Sequence, residues 1–289
     1  MKIENLGAIL ESHYNARNKD SELSLKKPDP LFVVKEHIAN AHIDEIAVVC
    51  ALLAYGNAGQ ILRTLRSIDF SILGNKNAII RAEVPYYRFQ SSDDIKNMLL
   101  AMSEIIALGG IKRIFVQAYK YAKIAESTLD STKNIERFPI LCGINAMIDA
   151  ITSIITSQNL AQNSKHSHLT KRSQNLHNLS KGLHFLIGQK IRNINTSSPL
   201  KRWNLFLRWM VRKDNIDLGL WSENVERADL ILPLDTHTFR LSKKLGLLER
   251  KSYDLRSALE ITANLARFCV DDPVKYDFAL YRLGQEKVM

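Results

Sequence analysis

The chain has 289 residues, 46% of them hydrophobic, which is enough to bury one large core or two smaller ones. We expect no membrane-spanning helix, because the apolar runs fall short of the roughly 20 residues that cross a bilayer. The N-terminus lacks the layout of a secretory signal, so the sequence predicts a cytoplasmic protein. Three widely separated cysteines cannot hold a four-cysteine iron–sulfur cluster, and we expect Cys50, Cys142 and Cys269 to be buried structural thiols.

The net charge of +10 comes from one segment of the chain. Residues 150–213 contain 11 of the 40 basic residues and none of the 30 acidic ones, which leaves 29 basic residues against 30 acidic residues elsewhere. Such a segment also suits acidic lipids or a protein partner, but its length without acids favours a polyanion. We therefore expect this acid-free segment to bind nucleic acid.

In chain order, the apolar residues recur mostly at helical spacing, in stripes over 46–65, 205–210 and 241–248. The nearest candidate for a strand is the short segment 77–84. Helix starts are marked by polar residues that can cap a helix, namely Asp44, Ser92 and Asp235. The sequence therefore predicts an all-α protein.

The polar segment 157–180 interrupts the helical pattern and is expected to be a loop or a frayed insertion. It contains three histidines that could bind a metal, His166, His168 and His177. No acidic residue or cysteine stands near them to complete a ligand set, so we expect no metal site.

One candidate for chemistry is the sequence SSPLKR at residues 197–202, which opens a predicted helix. Small residues before a helix leave backbone N–H groups free to hold a phosphate, and Lys201 and Arg202 follow at once. The alternative is an ordinary helix start with two surface cations. The residues alone do not decide between these two interpretations.

A second candidate is the sequence PLDTHTFR at residues 233–240. Asp235 precedes a periodic apolar run and can serve as the N-cap of a helix, a role worth about 1 kcal/mol. On this motif alone, the capping role is the better explanation.

Taken together, the two motifs resemble the helix-hairpin-helix DNA glycosylases. LDTHTFR is similar to the Asp-x-His element of that superfamily, and SSPLKRWN stands where the superfamily has its Gly-x-Gly-x-Lys hairpin, with Ser197 and Pro199 in place of the two glycines. Further similar segments lead to a bacterial branch related to the archaeal 8-oxoguanine glycosylases: PDPLF, DEIAVVCALLAYGNAGQILRTL, PYYRF, KRWNLFLRWMVRKDNIDLGLW, LPLDTHTFRLSKKLGLLERK and DPVKYDFALYRLG.

The resemblance implies a bifunctional DNA glycosylase and AP lyase that excises 8-oxoguanine and needs no cofactor. Lys201 would be the nucleophile, and the carboxylate of Asp235 would stabilise the positive charge that develops on the sugar. A monofunctional glycosylase, a glycosylase for another lesion such as alkylated bases or adenine, and a non-catalytic DNA-binding protein of the same fold remain open.

The resemblance also implies two further groups of site residues. Base flipping leaves a gap in the duplex, and the filler would come from the segment ALLAYGNAGQILR, although Gly56 and Gly59 could equally serve close helix packing. The implied DNA-binding residues are Tyr55, Asn57, Gln60, Ser198, Arg202, His237 and Arg240. The flipped base would be held by Asp277, Phe278 and Tyr281, although aromatic residues at helical spacing are more often part of a core.

The resemblance implies two helical lobes with a DNA-binding cleft between them. We place one lobe at 46–227, which includes Lys201, and the other at 1–45 together with 228–289, which includes Asp235. The expected partner is double-stranded DNA containing a damaged base, bound by a monomer associated with the nucleoid and not with a membrane.

Overall fold

The computed structural model of the chain describes residues 3–126, 135–164 and 179–286. In these residues the regular structure is helical, and extended pairing is limited to two isolated β-bridges. The prediction of an all-α protein is therefore confirmed for the part of the chain that is described. The α-helices are α1 (Ile3–Arg17), α2 (Pro30–Glu36), α3 (Ile43–Leu52), α4 (Ala58–Arg66), α5 (Lys76–Arg81), α6 (Ser92–Ala107), α7 (Ile111–Glu126), α8 (Pro139–Ser164), α9 (Lys181–Ile187), α10 (Lys201–Val211), α11 (Thr236–Lys244), α12 (Leu255–Ala266) and α13 (Asp277–Glu286).

Capping side chains fix several of these boundaries. Asp235 caps α11, as predicted, and the hydroxyl of Ser91 caps α6 while Asp94 completes a capping box, so Ser92 is the first helical residue. Asp44 lies in the first turn of α3 and not at its cap. The candidate strand at 77–84 is wrong, because Asn75 caps a helical turn that continues to Arg81.

The polar segment predicted at 157–180 is only partly a loop. Helix α8 continues to Ser164 and α9 begins at Lys181, so the first part of the segment is helical. Residues 165–178, with the three histidines, lie outside the described residues.

The described chain divides into two compact units. The first unit comprises the described parts of Met1–Pro28, Tyr119–Cys142 and Ile191–Met289, and the second comprises Asp29–Ala118 and Gly143–Lys190. This grouping places 191–227, and with it Lys201, in the same unit as Asp235, whereas the sequence-based boundaries separated them. Arg208 of α10 and Arg212 at its C-cap form buried ion pairs with the C-terminal segment.

Each unit has its own apolar core. The core of the first unit includes the fully buried rings of Phe206 and Trp209, on α10, and of Trp221, which follows it in the chain. In the second unit the ring of Phe115 lies so close to Gly143 in α8 that a Cβ there would come within 2.3 Å of it. Cys50 is buried and the other two cysteines are partly exposed.

Helix α8 corrects the expectation that no helix is long and apolar enough to cross a membrane. Pro139–Gln158 spans 20 residues with a mean hydropathy of 1.6. Met147, Ile151 and Ile155 on this helix are nevertheless at most 1% exposed within the protein. Of this apolar stretch 44% is buried within the protein.

Candidate active site

Lys201 is the first residue of α10, and the backbone just before it is strained. Leu200, at the N-cap, has a φ of 52° and a ψ of 36°, a left-handed conformation that costs a residue with a Cβ about 1–3 kcal/mol. The side-chain amide of Asn204 braces this turn by donating to the carbonyl of Pro199 (3.1 Å). The chain therefore enters α10 at an unusual angle immediately before Lys201.

Asp235 uses its two carboxylate oxygens for two different partners. One oxygen, Oδ1, accepts a hydrogen bond from the backbone N–H of Thr238 (2.8 Å), which caps α11. The other, Oδ2, lies 3.7 Å from the Nζ of Lys201. The cap thus orients the carboxylate, and the structure brings together two residues that are 34 positions apart in the chain.

The exposure of this pair differs between its members. The Lys201 side chain is 33% exposed and the Asp235 side chain is 12% exposed. A molecule from solution can therefore reach the amine, while the carboxylate is largely shielded from water. A negative charge in such a setting interacts more strongly with nearby positive charge than it would in bulk water.

Two tyrosines flank the pair. The Nζ of Lys201 lies 6.0 Å from the centroid of the Tyr281 ring. The hydroxyl of Tyr253 donates to the carbonyl of Leu234 (2.7 Å), the residue before Asp235. Burial, reinforced by the negative charge of Asp235, raises the pKa of Tyr253 to about 12, so this hydroxyl stays a hydrogen-bond donor at neutral pH.

A glycine allows α13 to approach the start of α11 closely. A Cβ on Gly284 would lie 3.0 Å from the Cβ of His237. A larger residue there would push α13, which carries Tyr281, away from the helix that Asp235 caps.

Behind the Lys201–Asp235 pair lies a buried network of arginines and aspartates. Arg208, on α10, donates to Asp277 (2.5 Å) at the start of α13 and to Asp217 (3.1 Å). All three residues are 3% exposed. Burial raises the pKa of Asp277 to about 6 against the opposing charge of Arg208, and the charges of Asp235 and Asp217 add to the rise.

Arg212 extends this network by one helical turn. Its guanidinium pairs with Asp217, with Asp214 (3.0 Å) and with Asp272 (2.9 Å). Burial raises the pKa of Asp217, and the two guanidiniums only partly offset this. For Asp214 burial acts in the same direction, but the charge of Arg212 and backbone N–H donors hold its pKa below the usual value. Two guanidiniums thus stand among four carboxylates.

The three residues predicted to hold a flipped base occupy different environments. Asp277 belongs to the buried network, and Phe278, 6% exposed, packs beside the guanidiniums of Arg208 (5.8 Å) and Arg282 (5.1 Å). A base could therefore stack on Phe278 only if the side chains packed around this ring moved. Tyr281 is partly exposed and is the member of this set that lies near Lys201.

The predicted phosphate contacts in the first unit lie at the surface around the pair. Ser198 is exposed before α10, and His237 and Arg240 are exposed on α11. Arg202 is half-buried next to Lys201. No side chain caps the N-terminus of α10. The contact of these four side chains with DNA stays a prediction.

The predicted gap-filling residues belong to the second unit, where Tyr55 and Asn57 lie between α3 and α4 and Gln60 lies in the first turn of α4. The side chain of Asn57 caps α4 by accepting from the backbone N–H of Gln60 (3.1 Å), and the Gln60 side chain is exposed. Tyr55 is half-buried, and its hydroxyl contacts the side chain of Gln90.

Residues 29–286 match a family whose description reads protein of unknown function, DUF2400. The chain belongs to the DUF2400 family. Neither the curated proteins nor the solved structures contain a match to it.

In this DUF2400 protein, sequence reasoning missed the buried network. Arg208 was counted with the basic surface of the acid-free segment, yet it is buried and paired, as is Arg212. A signal was present, because these arginines are four residues apart on one helical face, among apolar neighbours and shortly before Asp214 and Asp217. In the described residues, no group of three or more potential ligands could hold a metal.

Proposed function

We propose that this protein is a DNA glycosylase with AP lyase activity, with a fold of the helix-hairpin-helix glycosylase type, that excises oxidised guanine from duplex DNA. The observation that carries the proposal is the approach of the Lys201 amine to the oriented carboxylate of Asp235 at the start of two helices. An accessible amine beside a shielded carboxylate suits nucleophilic attack on a carbon that becomes positively charged.

In the first step, the Nζ of Lys201 would attack C1′ of the damaged nucleotide as a neutral amine. The bond from C1′ to the base nitrogen breaks, and the base leaves with that electron pair and takes up a proton. The sugar passes through a state with oxocarbenium character, whose positive charge the carboxylate of Asp235 would stabilise. Because the cap holds Oδ1, the carboxylate needs little reorganisation during this step.

In the second step, the bond between C1′ and the ring oxygen breaks, and the oxygen keeps the electron pair, takes up a proton and stays on C4′ as a hydroxyl. The nitrogen of Lys201 then forms a Schiff base with C1′. The Schiff base acidifies the C2′ hydrogens, and loss of one of them as a proton lets the 3′ phosphate leave with the electron pair of its C–O bond. Water then releases the lysine. These steps need no metal and no organic cofactor, and they explain why an amine is required in addition to a positive charge.

The start of α10 would also bind the DNA backbone. Its first backbone N–H groups have no side-chain cap, and the exposed Ser198 and the side chain of Arg202 adjoin them. A phosphate at this position would be bound by N–H donors and by the positive end of the helix dipole. Such a contact would hold the sugar next to Lys201.

The proposal is tested with a panel of duplexes that each carry one lesion: 8-oxoguanine, an alkylated base or a mismatched adenine. We expect strand cleavage at 8-oxoguanine for the wild type and for Lys213→Gln, which changes an exposed lysine after α10. Lys201→Gln should not cleave. Base release without cleavage would indicate a monofunctional enzyme, and binding without any base release would contradict the proposed activity.

A further inference from the structure

The second unit presents an exposed cluster of aromatic rings, of which Tyr55 alone is among the residues expected to contact DNA. We call Tyr55, Arg88, Phe89 and Phe185 the aromatic surface. The centroid of the Phe185 ring lies 4.9 Å from the centroids of the Tyr55 and Phe89 rings. The rings of Tyr55 and Phe89 are parallel to each other, with centroids 6.1 Å apart. Phe89 is 58% exposed and Phe185 is 41% exposed.

A tight turn holds Phe89 in this exposed position. Tyr87 and Gln90 exchange two backbone hydrogen bonds of 2.9 Å, which leaves Arg88 and Phe89 at the tip of the turn. Arg88 has a φ of 52°, and within the described residues it shares a positive φ with only one other non-glycine residue, Leu200. Strain at an exposed tip persists only where the surrounding structure enforces it.

The surrounding structure does enforce this turn. Gln90 is 2% exposed and its side-chain amide donates to the carbonyl of Gly182 on α9 (2.9 Å). A Cβ on Gly182 would lie 2.6 Å from the carbonyl oxygen of Phe89, and one on Gly56 would lie 2.4 Å from the guanidinium of Arg88. The aromatic surface is therefore a rigid platform built by three separate segments of the second unit.

Two cations, Arg88 and Lys181, adjoin the platform, while the carboxylate of Asp94 beside Gly182 is buried and held by Ser91 and Ser180. The guanidinium of Arg88 lies 5.6 Å from the rings of both Tyr55 and Phe89. On α9, the exposed Lys181 stands four residues before Phe185 and shares its helical face. Helix α9 lies within the acid-free segment 150–213. Exposed rings interleaved with cations bind single-stranded nucleic acid, because bases stack on the rings while cations meet the phosphates.

We propose that the aromatic surface binds an unpaired nucleobase of a DNA strand. The base stacks on the exposed ring of Phe89 or Phe185, and Arg88 and Lys181 contact the adjoining phosphates. The geometry favours a base over a protein side chain because the platform joins flat rings to basic groups. This inference goes beyond the proposed function, since it requires neither Lys201 nor Asp235.

The test compares two fluorescently labelled strands of equal length, one of thymidine nucleotides and one of abasic nucleotides. The abasic strand has the phosphates but no bases. We expect the wild type to bind the thymidine strand more tightly, and Phe89→Ala to lower that affinity by roughly 5- to 150-fold. Binding to the abasic strand should change little. Phe89→Trp should retain the affinity, and Phe89→Leu, which keeps apolar bulk, should not.

Two matched controls accompany this test. Tyr121→Ala removes a side chain that is 78% exposed in the first unit, and it should leave both affinities unchanged. Val270→Ala changes a second side chain of the first unit, 70% exposed, and should do the same. Neither binding measurement involves strand cleavage, so failure of the proposed activity would leave the expected result unchanged. Two results would overturn the proposal of base binding: equal affinity of the wild type for the two strands, or wild-type affinity in a Phe89→Ala/Phe185→Ala double variant. Either result would favour a protein as the partner of the aromatic surface.

Discussion

At the scale of single residues, Asp235 combines a structural role with a proposed chemical one. Asn can also cap a helix, so Asp235→Asn should lower the free energy of unfolding by less than about 1 kcal/mol. Loss of the negative charge beside the sugar should slow base excision by about 10²- to 10³-fold. Single-turnover excision on an 8-oxoguanine duplex measures this rate, and urea unfolding measures the stability.

Asp235→Ala is the matched variant, because it removes the cap as well as the charge. It should lose about 1 kcal/mol more stability than Asp235→Asn, with a similar loss of excision. Near-normal excision by a folded Asn variant would leave Asp235 as a helix cap alone.

The buried carboxyl group of Asp277 should make the free energy of unfolding of the protein depend on pH. Its pKa is about 6 in the folded protein against an ordinary value of 3.8, so between these values the folded state binds more protons than the unfolded state. Ionisation of Asp277 therefore lowers the free energy of unfolding as the pH rises from 4 to 7, by about 3 kcal/mol for a shift of this size. Asp277→Asn lacks this titration.

The measurement is urea unfolding of the wild type and of Asp277→Asn at pH 4.5 and pH 7.5. We subtract the free energy of unfolding of the wild type from that of the Asn variant. This difference should be larger at pH 7.5 than at pH 4.5. A stability difference that stays constant between the two pH values would show that Asp277 is not forced to ionise in a buried site.

At the scale of elements, α10 carries Lys201 at its start and Arg208 further along, and Arg212 follows at its C-cap. Arg208→Met would leave the buried Asp217 without this partner and would leave Asp277 without its guanidinium, which should cost about 3–5 kcal/mol of stability. Lys213→Met changes an exposed lysine of the same acid-free segment and should cost less than about 0.5 kcal/mol. Thermal or urea unfolding compares the two, and similar stabilities would argue against the network.

The sequence could predict an element where local chemistry determines it. Asp235 was found as a cap because its own side chain bonds the helix start, and the helical stripes were found because one face of each helix is buried. The segment 77–84 was misjudged as a strand because a single turn of helix needs only a cap, here Asn75, and leaves little periodicity. The turn at Leu200 and the burial of Arg208 depend on residues far away in the chain.

At the scale of the whole molecule, the number of basic residues in the acid-free segment overstates its basic surface. Arg208 and Arg212 are buried, and Lys190 pairs with Asp149. The excess available to a polyanion therefore comes from fewer cations than the sequence suggests. The approach of Lys201 to Asp235 was expected only through the resemblance, since no local pattern relates residues 34 positions apart.

The central claim is that Lys201 acts through its amine. A phosphate contact could be shared with Arg202, but nucleophilic attack could not pass to an arginine, whose guanidinium stays protonated. Reduction with borohydride during the reaction converts a Schiff base into a stable covalent link between protein and DNA. Trapping on an 8-oxoguanine duplex is therefore the most direct measurement.

We expect the wild type and Lys213→Arg to give the covalent adduct, and Lys201→Arg and Lys201→Gln to give none. Lys201→Arg should keep most of the affinity for DNA, because it keeps the positive charge. An adduct that persists in Lys201→Gln would contradict the account and would assign the nucleophile to another amine.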